Sequence, residues 1–445
     1  MINILFIAFE FPPLNRGGVF RPLSFVKYLP QFGINPVVVT LDPNSYADVF
    51  DLFTCDKSLG DGFLEGATIV PITAEKSKPL SRWKQFTSIY FSIHGNEARY
   101  WKKAFNESID NVIATYSPKV ILATVPPFSV LPLAEKIAKK HKLPLILDFR
   151  DAWSQWRTLP YGTIFHYWRT LHLEGRYFRH ANAIIATSGQ TIDDFKKLHQ
   201  NIPASKFHYV PNGYNGTLQP WCPIRTGKDE YTIGYVGSFY FTHMARAQML
   251  KPWWRKKGHR MLQYIPRKQD WLYRSPYFFF KCLQALNRRN PNLGNRIKVK
   301  FAGKKVSWLE DMIASFDLQQ QVFQIGELPH QESLHFQQQC DALLVTSAKH
   351  LGGRDYSVAG KTFEYIEMQK PVISFACEGA QKDLLLETGL ALICDPDDTD
   401  TSSRSLADLF EGRKDLHPNF EFLSTLSRSR LIERLAKIIK TQIKE

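Results

Sequence analysis

At 445 residues the chain is long enough for two or three domains, each with a core of its own. Hydrophobic residues make up 44% and charged residues 22%, the balance of a soluble globular protein, and the formal charge of +15 calls for an anionic partner: nucleic acid, an acidic membrane surface or a phosphorylated substrate. The six cysteines show no CxxC or Cys/His ligand spacing, which argues against a zinc site and fits cytoplasmic thiols, and no apolar run reaches the ~18 residues of a membrane span.

The opening segment, MINILFIAFEFPP, lacks the cationic leader of a signal peptide and reads as a buried strand over 3–9. A Pro- and Gly-bearing loop follows, then a helix over 19–32 and a second strand over 35–41. Further strands are expected at 68–72, 119–124, 144–149, 183–187 and 207–210, with helical periodicity over 97–116 and 129–141. Segment 210–230, with three Pro and three Gly, marks the break between domains. It places a first domain at 1–215, a linker at 216–230 and a second domain at 231–425. Strands then recur at 231–238, 296–303, 322–325, 342–346, 371–375 and 390–393. Over 428–443, Leu431, Leu435, Ile438 and Ile439 share one helical face, so 426–445 is expected to dock, packing back on the first domain. The alternation is an α/β pattern, and open parallel sheets bind ligands beyond the carboxyl ends of their strands.

The candidate residues therefore follow strands. After the first comes EFPPLNRGGVFRP, where Gly17 and Gly18 precede a helix and leave backbone N–H groups open to a phosphate or sugar, with Arg16 and Arg21 on either side. A plain strand-to-helix turn would look the same. In TVPPFS, Ser129 is read as the N-cap of the next helix. LDFRDAWSQW ends another strand with Arg150 and Asp151, beside Trp153 and Trp156. That set suits a sugar, by hydrogen bonds and an apolar face, or a buried ion pair. In the second half, Gly237 and Ser238 close the strand YTIGYVGS. A helix opening near Gly360 would aim the amides of Lys361, Thr362 and Phe363 at an anion, with the Lys361 charge added and Glu364 one turn on, able to accept from a ribose diol. A solvated helix start is the plainer reading of the same pair.

Segment 242–274 interrupts the pattern with nine Lys or Arg against one Asp, interleaved with Trp253, Trp254, Tyr264, Trp271 and Tyr273. Cations mixed with Trp and Tyr suit a bilayer interface or an anionic lipid carrier. They also suit stacking on single-stranded nucleic acid, or packing of the rings onto the domain.

Taken in order, FPPLNRGG, DFRDAW, ATS (186–188), VPNGY, YVGS and GKTFEYIEMQKPVIS resemble the glycosyltransferase family 4 group of GT-B enzymes, over nearly the whole chain except 242–274. The resemblance implies two Rossmann-like α/β domains with parallel sheets facing an interdomain cleft, and sugar transfer from a nucleotide donor with retention. It places Gly17 and Gly18 near the donor diphosphate and acceptor, and Gly237 and Ser238 near the phosphates. Gly360, Lys361 and Thr362 would hold the diphosphate and Glu364 the ribose, while Arg150 and Asp151 would stand near the transferred sugar. No metal or other cofactor is implied, since a helix start and cationic side chains can stabilise the leaving diphosphate. Two features depart from the family. Many relatives carry a second Glu eight positions before Glu364, where this chain has Tyr356, with Asp355 adjacent; and the cations usual after VGS would have to come from Arg246, Lys251 or elsewhere.

The expected function is transfer from a UDP- or GDP-sugar to a glycan or lipid-linked saccharide, for cell-surface polysaccharide, by a cytoplasmic protein peripheral to the inner membrane face. Arg16, Arg21, Trp253 and Trp254 are the residues expected to meet acceptor or membrane. No nucleic acid is expected as partner. The other readings are an inactive GT-B scaffold that binds anionic membrane or nucleic acid, and a nucleotide-sugar epimerase.

Overall fold

The computed structural model describes residues 1–60, 62, 64–74, 81, 83, 87, 95–155, 160–239 and 241–443; Trp156 lies outside them. The chain divides into two compact units, Met1–Asn212 with Trp253–Pro266 and Arg428–Glu445, and Gly213–Pro252 with Arg267–Ser427.

The first unit is built on seven strands: β1 (Ile2–Ile7), β2 (Ile34–Leu41), β3 (Thr68–Ile72), β4 (Ile121–Val125), β5 (Leu145–Phe149), β6 (Ala183–Ala186) and β7 (Phe207–Tyr209). All pairings are parallel, in the order β3-β2-β1-β4-β5-β6-β7. Near-continuous Val, Ile and Leu in β2, β4 and β5 reflects burial on both faces, as a parallel sheet requires. The order reverses between β1 and β4, so the crevice for a ligand lies beyond the ends of those strands. Helices α1 (Phe20–Tyr28), α2 (Lys102–Tyr116), α3 (Leu131–His141), α4 (Ile164–His180) and α5 (Gly189–Leu198) alternate with the strands. The helix expected over 19–32 stops at Tyr28 and tightens into a 3-10 turn over Leu29–Phe32, where Pro30 supplies no N–H for an α-helical bond. Ser129 does not cap α3: its hydroxyl donates to the Gly95 carbonyl, and Val130 is the N-cap. The C-terminal helix Arg428–Gln442 buries Leu431, Leu435 and Ile439 in the core that β1 and β2 share, with Ile438 only partly covered.

The second unit carries β8 (Tyr231–Val236), β9 (Gln269–Asp270), β10 (Ile297–Ala302), β11 (Val322–Gln324), β12 (Ala342–Thr346), β13 (Lys349–His350), β14 (Val372–Phe375) and β15 (Ala391–Ile393). Six of them form a parallel sheet, β11-β10-β8-β12-β14-β15, that turns between β8 and β12 as the first does between β1 and β4. The short β9 and β13 pair antiparallel. Helices α6 (Tyr277–Arg289), α7 (His330–Gln339), α8 (Gly360–Met368) and α9 (Ala380–Thr388) matter for the site. Segment 216–230, expected as a linker, is laid along this unit: Gln219 and Cys222 N–H donate to the carbonyls of Glu367 and Gln369 at 2.9 and 3.1 Å. The basic insert is shared. Its middle, Trp253–Pro266, belongs to the first unit, where Tyr161 and Tyr264 exchange backbone hydrogen bonds of 2.9 and 3.0 Å.

Candidate functional site

In the second unit the site starts at the β8 carboxyl end. Gly237 turns the chain at φ +96°, a left-handed conformation that L side chains rarely adopt. Its N–H donates to the Ala302 carbonyl at 2.7 Å, and Gly303 packs against its backbone so closely that a Cβ there would collide with the Gly237 carbonyl. The Gly237 amide is therefore committed to the neighbouring β10 end and not open to a phosphate. What the glycine provides is room: a Cβ on it would stand 3.3 Å from Lys361 Nζ. Ser238 is exposed beside it, its carbonyl accepting from the Tyr235 hydroxyl at 3.3 Å.

Lys361 reaches this turn from the first turn of α8. Its Nζ lies 3.6 Å from the centroid of the Tyr235 ring, and among the described residues it has no hydrogen-bond acceptor and no ion-pair partner. Burial pulls its pKa down to about 7; Glu364 opposes that fall and the charge of Arg274 adds to it. Among the described residues the amides of Gly360 and Lys361 have no backbone acceptor, whereas Thr362 N–H turns back to the Ala359 carbonyl at 3.0 Å. No side chain caps α8. A cation held on a ring, two free amides and the helix dipole all favour an anion at one place.

Thr362 is not part of that seat through its side chain. It is fully buried, and its hydroxyl donates to Gln381 Oε1 on α9 at 3.0 Å, the oxygen that also accepts from Ala359 N–H at 2.9 Å. Gln381 thus pins the start of α8 from beneath. Glu364 is half-buried, and Gln337 of α7 donates to its Oε2 at 3.1 Å, leaving Oε1 for another donor.

Residues missed at the sequence level complete the basic environment. Arg274 ends the insert just before α6 and is close enough to depress Lys361, and Lys304 lines a pocket with Gly237 and Ser238. Arg246 does not supply the charge, because Asp270 takes its guanidinium with two hydrogen bonds of 2.6 and 2.8 Å. Asp355 does not replace the Glu absent at Tyr356. Its carboxylate is buried and accepts from Ser357 N–H and hydroxyl, both at 2.8 Å, a local Asx turn that points it into its own loop. Tyr356 is itself buried.

In the first unit, Gly18 and Arg150 meet at the ends of β1 and β5. A Cβ on Gly18 would collide with Arg150 Nη1 and Glu10 Oε2, so any larger residue there must push the guanidinium and carboxylate aside. Arg150 Nη2 donates to Glu10 Oε2 at 3.2 Å and to the Pro126 carbonyl, while its buried Nε has no partner among the described residues. Arg16 donates to the other Glu10 oxygen at 2.9 Å and is partly exposed. Gly17 has open space around it. Asp151 follows Arg150, half-buried. Gly18→Ala should therefore displace Arg150 and cost about 10²-fold in kcat, the penalty of a misplaced group, with nucleotide affinity unchanged. Gly17→Ala, which meets nothing, should be silent in the same assay.

Two expectations for this unit are corrected. Arg21 is no surface cation for acceptor or membrane: it is 5% exposed and forks onto Asp148 at 2.7–3.1 Å, which draws it into the core. Trp153 offers no face to a sugar either, being fully buried and stacked on Phe128 at 5.6 Å. Trp253 and Trp254 are 61% and 63% exposed.

Two Rossmann-like α/β units, each built on a parallel sheet, define a GT-B fold. Residues 24–213 match the glycosyl transferase 4-like domain and residues 279–420 the glycosyl transferases group 1 domain. The chain belongs to the group 1 GT-B glycosyltransferases. Its fold is similar to that of sucrose-phosphate synthase from Thermosynechococcus elongatus, at 13% identity over 99% of each chain with a TM-score of 0.58. Anabaena HepE in complex with UDP is similar at 12% identity and TM-score 0.57, over 99% of this chain and 100% of that one. The UDP-GlcNAc 2-epimerase from Neisseria meningitidis bound to UDP-GlcNAc reaches 11% and 0.50, over 99% of each chain. No curated protein sequence matches the chain. Among the described residues no helix is long and apolar enough to cross a membrane.

Proposed function

We propose that the protein moves a hexose from a nucleoside-diphosphate sugar to a glycan or lipid-linked saccharide, with retention, in the making of a cell-surface polysaccharide. The observation that carries this reading is Lys361, a half-buried ammonium with no ion-pair partner among the described residues, at a helix start whose first amides have no acceptor among them. A diphosphate supplies what that place lacks. Glu364 Oε1 is assigned to the ribose, and Arg274 and Lys304 to the remaining phosphate charge. UDP is the first nucleotide to test, since HepE and the epimerase on this fold were solved with UDP or UDP-GlcNAc.

In the transfer step the bond from the anomeric carbon to the diphosphate breaks, and the acceptor oxygen bonds to that carbon on the same face. The acceptor proton leaves with a phosphate oxygen. Lys361 and the α8 amides stabilise the charge that grows on the departing group, so no metal is assigned a part. Asp151 and Arg150 are assigned to the sugar and acceptor end. No residue is assigned as a covalent nucleophile.

One observation favours a second reading, an inactive scaffold: the loop before α8 offers no carboxylate, with Asp355 turned inward and Tyr356 buried. Release of UDP or GDP from a panel of nucleotide sugars, with and without glycan acceptors, separates the readings. Transfer predicts release that needs an acceptor, persists in EDTA, and is lost in Glu364→Gln. Conversion of the sugar without an acceptor would identify an epimerase. Binding of no nucleotide at millimolar concentration would sink the transfer reading.

A further inference from the structure

The middle of the basic insert leaves the unit that encodes its flanks and builds on the other. The Tyr161–Tyr264 hydrogen-bond pair and the Tyr167–Tyr264 ring contact, 4.9 Å between centroids, hold it beside the first turn of α4. Both partners of that pairing carry large apolar side chains in solvent. From the insert come Trp253, Trp254 and Leu262, at 61%, 63% and 63% exposure; from the start of α4 come Phe165 and Trp168, at 71% and 53%. A monomeric soluble surface rarely concentrates so many, and such patches mark interaction sites.

The charge of the insert's middle has one sign. Between Lys251 and Gln269 the chain carries seven Lys or Arg and no Asp or Glu. Arg255, Lys257 and Arg260 are exposed among the aromatic residues. Exposed apolar side chains interleaved with the exposed Arg255, Lys257 and Arg260 match an anionic bilayer, whose headgroups take the cations and whose interface takes Trp and Leu. Single-stranded nucleic acid fits less well. The ring pairs are perpendicular, 89° for Trp253 with Trp254 and 86° for Phe165 with Trp168, and Leu262 offers no face to a base.

We propose that this composite surface of the first unit, insert residues 253–262 together with the start of α4, docks the protein on an anionic lipid bilayer. It goes beyond the transfer reading and does not depend on it. The insert is then an anchor delivered to the first unit, and α4 contributes half of it.

Co-sedimentation of the full chain with phosphatidylserine-containing vesicles, against vesicles of phosphatidylcholine alone, tests this. Binding should require the anionic lipid and weaken with salt. Replacing Arg255, Lys257 and Arg260 together with Gln should lower partitioning roughly a hundredfold. Trp253→Ala/Trp254→Ala and, separately, Phe165→Ala/Trp168→Ala should each lower it at least tenfold, with melting temperatures unchanged because all four rings are exposed. Lys361→Met should bind vesicles like the parent, so failure of the transfer reading leaves this result readable. Equal binding by the Phe165/Trp168 variant would remove α4 from the surface and overturn the composite site. Binding to single-stranded RNA without vesicle binding would overturn the membrane assignment. So would a dimer that the Trp variants dissociate, with no lipid effect.

Discussion

Lys361→Met will leave the protein folded and lower kcat/KM for the nucleotide sugar by about 10²–10³-fold, the usual loss when one preorganised donor to a developing anion is removed. Methionine keeps the apolar stem, one atom shorter, and removes the ammonium that stands over Tyr235. The same residue makes a second prediction with a definite sign. In the unliganded protein its pKa is held down to about 7 by burial, with Arg274 adding to the fall, so at pH 8 it is roughly 90% neutral. A bound diphosphate favours the charged form and raises that pKa. Binding at pH 8 should therefore take up close to one proton, and binding at pH 6, where Lys361 is already charged, almost none. Affinity should fall as pH rises from 6 to 9. Titration calorimetry in buffers of different ionisation enthalpy measures the uptake. The nucleotide's own phosphate also titrates, so the number to read is parent minus Lys361→Met. If that difference is zero at pH 8, Lys361 does not meet the diphosphate.

Much of this was legible before any coordinates. The strands of both sheets read directly because strands buried on two faces are short, almost unbroken apolar runs. Gly237, Lys361 and Glu364 stood out because they follow strands or open a helix. What each does locally was less visible. Gly237 serves by leaving space for Lys361 rather than by offering its amide, which only the approach of Gly303 shows. The inward turn of Asp355 did have a signal, since Asp followed two residues later by Ser is an Asx-turn spacing. Other features had none. Arg21 and Asp148 are 127 residues apart, and Arg274 is 87 residues from Lys361 with an insert before it. The path of Trp253–Pro266 onto the first unit rests on a backbone pair of two tyrosines, a contact that composition does not encode.

Breaking the Arg21–Asp148 pair should give the largest stability loss. Arg21 forks onto both carboxylate oxygens, and its Nη1 donates to the Pro211 carbonyl at 3.1 Å. Asp148, with no exposure, also accepts from the Thr124 hydroxyl at 2.8 Å. Arg21→Met leaves that carboxylate buried and uncompensated, which costs about 3–5 kcal/mol. Asp148→Leu strands the guanidinium and should cost a similar amount. Arg21→Met/Asp148→Leu should recover much of the loss but not all, because Thr124 and Pro211 keep polar groups without partners, at about 1–3 kcal/mol each. Arg21→Lys cannot reproduce the fork and should fall between parent and Arg21→Met. Urea unfolding followed by tryptophan fluorescence measures each step. The consequence reaches the site. Arg21 sits in α1 just after Gly17 and Gly18, and Asp148 precedes Arg150 and Asp151 by two and three residues, so the pair fastens the loop after β1 to the loop after β5. The single variants should lose kcat even where the protein is still folded, in proportion to how far Arg150 drifts from Gly18. A stability loss under about 1 kcal/mol for Arg21→Met would mean that water or relaxation satisfies Asp148, and the fastening role would fall with it.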